Sequence, residues 1–278
     1  MAARAKPARP LCGAAKPAPR CLRALAERSA PPDAFGNAAR EYELGRPRWP
    51  QELIDLVVRE LELTVDATVL DLGAGTGKLT RDLVPRFAQV IAVEPDDAMR
   101  EVLEEVVPEV EALAGSAEAI PLDADSVDAV FSAEAFHWFA SDETVAEIAR
   151  VLRPGGGFAI FWNIEFGEPE PPMGEAVESL LDEAFARGGS PGLPRVLSGA
   201  WREPLERSSF GLLHEATSER EVVRDRERWL ATMLSVSSIA SQSDEERLAL
   251  ATRLRELVPD VEYRWRIRTI AYWTRLDA

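Results

Sequence analysis

The chain has 278 residues, 46% of them hydrophobic, enough for one sizeable core with a small cap. Its formal net charge of −16 argues against a nucleic-acid surface, because phosphate binding needs a basic face. Two cysteines (Cys12, Cys21) and two histidines (His137, His214) supply neither a disulfide framework nor a metal centre, and charge interrupts every apolar run well short of the ~20 residues of a membrane span. The expectation is a cytoplasmic protein without metal, nucleic-acid or membrane partners.

Residues 1–34 stand apart. They hold seven Lys or Arg against two acids and six prolines, and read as a disordered basic tail. A single domain is expected over 35–278. Pro50 to Glu62 has helical apolar spacing behind a proline suited to a helix start. Thr68–Leu72 is a short β-prone run ending in a glycine turn. A helix is expected over Leu79–Phe87, a strand at Val90–Val93 and a helix over Asp97–Val107. Strands follow at Val110–Ala114 and Val127–Ser132. Ser141 caps a helix over Asp142–Leu152, and Pro154–Gly157 breaks it before a fifth strand at Phe158–Trp162. This alternation predicts an α/β fold, a doubly wound and mostly parallel sheet.

Beyond Asn163 the rhythm changes. Glu165–Pro172 reads as an acidic loop and Gly174–Arg187 as a helix. Ser208–Ala216 reads as a sixth strand, Glu221–Leu234 and Asp244–Leu257 as helices, and Tyr263–Leu276 as a seventh strand. The seven strands complete the sheet. Residues at about 165–205 and 221–257 form a small helical cap.

The segment VLDLGAGTGKLT (Val69–Thr80) lies between a strand and a helix. Gly73, Gly75 and Gly77 form G-x-G-x-G, at the strand end where open α/β sheets bind nucleotides. A dinucleotide fingerprint would place its third glycine at position 78, which is Lys, and a phosphate loop would need Ser or Thr after that lysine, where Leu79 stands. Asp71, two residues before the first glycine, suits a cationic ligand rather than a pyrophosphate. S-adenosylmethionine (SAM) carries an ammonium, a sulfonium and no phosphate. Glu94, at the end of the second strand, can accept both hydroxyls of a ribose.

Five segments resemble the successive motifs of class I SAM-dependent methyltransferases: Val69–Thr80, VEPDDAMR (Val93–Arg100), GSAEAIPL (Gly115–Leu122), VDAVFSAEAFHWF (Val127–Phe139) and RVLRPGGGFAIFWN (Arg150–Asn163). EYELGRPRWP (Glu41–Pro50) and FHWF (Phe136–Phe139) are similar to the type 11 domain, in the small-molecule branch near trans-aconitate-like enzymes. The resemblance implies a Rossmann-like fold that binds SAM and releases S-adenosylhomocysteine. It places Gly73, Ala74 and Gly75 under the methionine part and Asp71 on its ammonium. Glu94 takes the ribose, and Pro95 and Met99 pack on the adenine. Ser116, Ala117 and Glu118 lie at the adenine edge, Ala133 lines the end of the fourth strand, and Tyr42 and Arg46 close over the cofactor.

The aromatic run after that strand, Phe136, His137 and Trp138, is expected to face the acceptor. His137 and Glu134 are the candidate bases if the acceptor is a hydroxyl; a carboxylate acceptor needs none. The expected activity is methyl transfer to a small molecule at a hydroxyl or carboxylate. The alternatives are a SAM-binding module without catalysis and an NAD(P)-dependent oxidoreductase.

Overall fold

A computed structural model describes residues 6–7, 38–187 and 192–277. Most of the tail expected at 1–34 therefore lies outside the described residues, as do residues 188–191. No helix among the described residues is long and apolar enough to cross a membrane.

In chain order the elements are α1 (Ala39–Gly45), α2 (Gln51–Glu60), β1 (Thr68–Leu72), α3 (Thr80–Leu83), β2 (Gln89–Val93), α4 (Asp97–Val106), β3 (Glu111–Leu113) and β4 (Val127–Ala133). There follow α5 (Phe136–Phe139), α6 (Asp142–Val151), β5 (Leu152–Glu170), α7 (Glu175–Arg187), α8 (Gly192–Ser198) and α9 (Glu203–Glu206). The chain closes with β6 (His214–Arg224), α10 (Arg226–Leu234), α11 (Ser237–Ala240), α12 (Asp244–Leu257) and β7 (Tyr263–Arg275). The strands form one sheet in the order β6-β7-β5-β4-β1-β2-β3, with Lys6–Pro7 paired antiparallel outside β6. Strands β5-β4-β1-β2-β3 are mutually parallel; β7 runs antiparallel to both its neighbours.

The central strands are mostly apolar on both sides because both faces are covered. Alternate side chains serve opposite layers. Leu70, Leu72, Val130, Phe158 and Ile160 pack with Val145, Ile148 and Val151 of α6. Val69, Phe131, Ala159 and Phe161 pack with Leu53, Ile54 and Val57 of α2. A third cluster makes the cap, where α7, α10 and α12 bring Leu180, Trp229 and Leu254 against Tyr263 and Trp265 of β7.

Four expected elements differ. The helix after the glycine turn covers only Thr80–Leu83, because Pro85 has no N–H to continue its ladder. The acidic stretch expected as a loop is strand: β5 runs on to Glu170, in register with arginines of β7. Arg266 and Arg268 lie over the Phe166 ring at 4.6 and 5.2 Å, and Arg224 pairs with Glu165 at 2.6 Å, so cross-strand cations balance the acids. The sixth strand is His214–Arg224 rather than Ser208–Ala216. Helix α10 then begins at Arg226 rather than Glu221, because Asp225 caps it by accepting the Arg228 N–H at 2.8 Å.

Helix α1 is held against α10 at backbone distance. A Cβ added to Gly45 would meet the Thr232 nitrogen at 2.3 Å, and Thr232 Oγ1 donates to the Gly45 carbonyl at 2.9 Å. Gly45→Ala should therefore push α1 off the cap and cost about 1–3 kcal/mol, measured by chemical denaturation. Unchanged stability would show that α1 has room to shift.

Candidate active site

The carboxyl ends of β1 and β4 lie side by side while their chains leave in opposite directions, and a cavity of about 410 Å³ opens there. The glycine turn forms its floor. The Gly73 and Ala74 N–H groups donate to the Val93 carbonyl at 2.9 and 3.1 Å, tying the turn to β2. Gly73, Gly75 and Gly77 all have positive φ (70°, 56° and 79°). Space also constrains two of them. A Cβ on Gly73 would strike Ala135 at 2.8 Å, and one on Gly77 would press on Leu103 and Val107 of α4 at 3.0 and 3.1 Å. One on Gly75 would meet nothing within 4 Å, so that glycine borders open space.

Asp71 is buried on the cavity wall. Its Oδ2 accepts the Thr80 hydroxyl at 2.6 Å, while Oδ1 is buried without a hydrogen-bond partner among the described residues. Burial, more than the nearby Glu94, pushes its carboxyl up to about 7. An ammonium in the cavity that Asp71 lines would satisfy that orphaned oxygen and restore the carboxylate's charge. Glu94 is bound by two backbone groups, accepting from Gly75 N at 2.8 Å and from Asp96 N at 3.0 Å. Each oxygen keeps a second lone pair for a hydroxyl. Desolvation raises its pKa as well.

The remaining expected cofactor residues gather on the same wall. Pro95 and Met99 line it beyond Glu94, Ser116, Ala117 and Glu118 line the far side, and Tyr42 and Ala133 border the near side. Arg46 does not line this cavity. It borders a second one of about 260 Å³, where Nε and Nη2 donate to the Ser235 hydroxyl and carbonyl at 3.1 and 3.2 Å. Tyr42, Trp49, Lys78, Glu134 and Trp138 border both cavities.

Lys78, which removes the third glycine of a dinucleotide fingerprint, has a positive task that spacing alone does not show. It reaches α1, donating to the Glu43 carbonyl at 2.5 Å and lying 3.3 Å from the Glu43 carboxylate. Thr76 and Arg81 converge on that carboxylate at 2.8 and 2.6 Å. The turn thus clasps the helix that covers it.

Glu134 ends β4 in the left-handed region at φ 54°, a conformation that costs a glutamate on the order of 1 kcal/mol. Its N–H donates to the Phe161 carbonyl at 2.9 Å, and its Oε1 accepts from Asn163 N at 2.7 Å. Burial pushes its carboxyl up to about 7 against the opposing pull of Arg46.

Two aromatic-run expectations require correction. Phe136 is fully buried among Phe139, Phe158 and Trp201 and lines neither cavity. His137 lines the second cavity, but its Nδ1 accepts the Trp162 indole N–H at 3.0 Å. Burial, helped by Arg195, lowers its pKa to about 3. The ring is neutral with its proton on Nε2, so neither nitrogen offers a free lone pair to a substrate proton. Trp138 does face both cavities.

A methyltransferase domain model matches residues 70–160. An uncharacterized methyltransferase of Schizosaccharomyces pombe is 31% identical over 241 residues, 84% of this chain and 92% of that protein. An uncharacterized methyltransferase of Mycobacterium tuberculosis is 45% identical over 163 residues; this match spans 59% of the chain and 63% of the relative, under two thirds of its length. A candidate type II methyltransferase from Anaeromyxobacter dehalogenans has a solved structure that superposes with a TM-score of 0.56 at 26% identity, covering 84% of this chain and 98% of that one. The chain belongs to the methyltransferase family. SAM is the cofactor that fits the donor set: an unsatisfied carboxylate oxygen, a glycine floor and a second carboxylate in reach of a ribose.

The raised carboxyls bear on stability. An acid whose folded pKa exceeds its unfolded value stabilises the fold below the unfolded value, and that stability is lost as pH rises through the folded one. For Asp71 and Glu134 the window runs from about pH 4 to about pH 7. The ligand-free protein should lose stability across it, and Asp71→Asn with Glu134→Gln should flatten that slope in denaturant titrations. An equally steep slope in the double variant would assign the effect to other groups.

Proposed function

We propose that the chain transfers the methyl group of SAM to a small-molecule acceptor, at a hydroxyl or carboxylate oxygen, in the second cavity. The observation that carries this reading is the shared wall. Glu134, Tyr42 and Trp138 border both cavities, so an acceptor in one can meet a methyl donor in the other. In this reading Asp71 holds the ammonium, with Gly73, Ala74 and Gly75 along the methionine part. Glu94 holds the ribose hydroxyls, Pro95 and Met99 pack on the adenine, and Ser116, Ala117 and Glu118 border its edge. When bound, SAM supplies a methyl group on a positively charged sulfur, already activated for in-line displacement.

The chain supplies alignment and dryness. Tyr42, clasped down with α1, screens the donor from water. Trp138, Trp162 and Val196 give the acceptor cavity apolar walls. Glu134 is the group placed to take a proton from an acceptor hydroxyl onto its carboxylate, and a carboxyl with a pKa near neutrality suits that task. His137 instead fixes the Trp162 indole in the wall. The small acceptor cavity also supports a place in the small-molecule branch near the trans-aconitate-like enzymes.

Calorimetric titration tests the cofactor. SAM and S-adenosylhomocysteine should bind and NAD should not; the reverse would overturn the reading. Asp71→Ala and Glu94→Ala should each weaken SAM binding about tenfold or more, the scale of a lost charge-assisted hydrogen bond. Unchanged affinity in both would displace the site. For a hydroxyl acceptor, kcat/KM should rise with pH through about 7, and Glu134→Gln should lower kcat and abolish that limb while leaving SAM affinity near wild type. A limb that survives the substitution would remove Glu134 as the base.

A further inference from the structure

A third cavity of about 760 Å³ lies outside the first two, between α1, the segment leading to α2, α4 and β6. It adjoins the acceptor cavity, sharing Arg46, Pro47, Trp49 and Lys78 with it. Its wall is cationic in a chain whose net charge is −16: seven arginines and Lys78 line it against four glutamates.

Nearby carboxylates engage five of these cations. Glu43 takes Lys78 and Arg81, Glu105 takes Arg40, Asp82 takes Arg48 and Glu165 takes Arg224. Arg46, Arg220 and Arg228 have no carboxylate within ion-pair distance among the described residues. Arg220 donates to the Thr269 hydroxyl at 2.7 Å and to the Arg48 carbonyl, both neutral. Burial lowers its pKa, with Arg224 adding to that and the Glu52 carboxylate, beyond ion-pair distance, opposing it. Arg228 is exposed, and no acceptor among the described residues takes a bond from its guanidinium. Arg224 is 2% exposed, and its Nε and Nη1 are buried without acceptors among the described residues. Buried guanidinium donors lacking acceptors, beside two unneutralised arginines, make a site short of oxyanions.

We infer that this groove binds a phosphoryl group, with Arg220 and Arg228 as its principal contacts and Arg224 behind them. Phosphate oxygens match the forked donors of arginine and bring the charge the wall lacks. Because Arg46 and Lys78 border both cavities, one molecule can lie across them, with a phosphorylated end in the groove and its methyl-accepting end against Glu134. The inference deepens the proposed function and rests on it for that second half only.

Pyrophosphate is the probe. Titrated at constant ionic strength into the full chain, it should bind in the presence of saturating S-adenosylhomocysteine. Arg228→Ala removes an exposed side chain that holds no other described group, so the fold should survive it. It should weaken pyrophosphate about tenfold, and Arg220→Gln should do the same, while SAM affinity stays at the wild-type value. Absence of pyrophosphate binding, or binding unchanged in the Arg220→Gln, Arg228→Ala double variant, would overturn the site. Failure of SAM binding with pyrophosphate binding intact would instead sink the methyl-transfer reading and leave the groove standing. Labelled-methyl incorporation into a small-molecule extract separates the two sources of phosphoryl group. Loss after phosphatase treatment assigns it to the acceptor, and retained incorporation assigns it to a separate ligand.

Discussion

The site depends on the point at which the strand order turns back. β1 and β4 are neighbours, yet the chain leaves β1 towards β2 and leaves β4 towards β5. No connection can cross above them, so their carboxyl ends border open space. Asp71 and Glu134 hang at that edge, one at the end of each strand. Asp71 is buried and Glu134 half-buried there, and both are pushed towards neutrality for the same reason, loss of water. The sheet thus puts two poorly solvated acids at one open edge, Asp71 on the first cavity and Glu134 on the wall it shares with the second.

Around that edge the polar groups divide their work. Backbone N–H groups of the turn and of the following loop hold Glu94, and Thr80 holds one oxygen of Asp71. Side chains of the turn face the other way and hold α1 through Glu43. One short segment therefore shapes the floor and secures the cover. Beyond it the extended β5–β7–β6 ladder carries the cap helices, whose apolar faces meet in a separate cluster.

The doubly wound half was legible because its signals are local. Apolar runs, the glycine turn and the Ser141 cap each depend on a few consecutive residues. The lining of the first cavity was legible too: Asp71, Glu94, Met99 and Glu118 are far apart in sequence but fall at or just beyond the carboxyl ends of β1, β2 and β3, where the alternating pattern puts them. Charge balance across strands was not legible. Glu165–Glu170 reads as a loop until the arginines of β7 lie opposite it. Nor could spacing show the task of Lys78, the left-handed backbone of Glu134 or the indole bound to His137. Each is a contact between residues twenty-five or more apart or a backbone state, and a lone histidine beside a site gives no hint that its lone pair is already taken.

The joint between α1 and α10 has a consequence for how this molecule can change. Gly45 and Thr232 meet at their backbones, and Arg46 reaches on to Ser235. The helix beside the first cavity is thus fastened to the cap that bounds the second. Moving α10 to widen the second cavity would carry α1 away from the first, so any backbone movement here alters both cavities together. The second cavity can be enlarged on its own through side-chain exchange at Leu193, Val196 or Met233 on its wall, where volume can change without disturbing that joint.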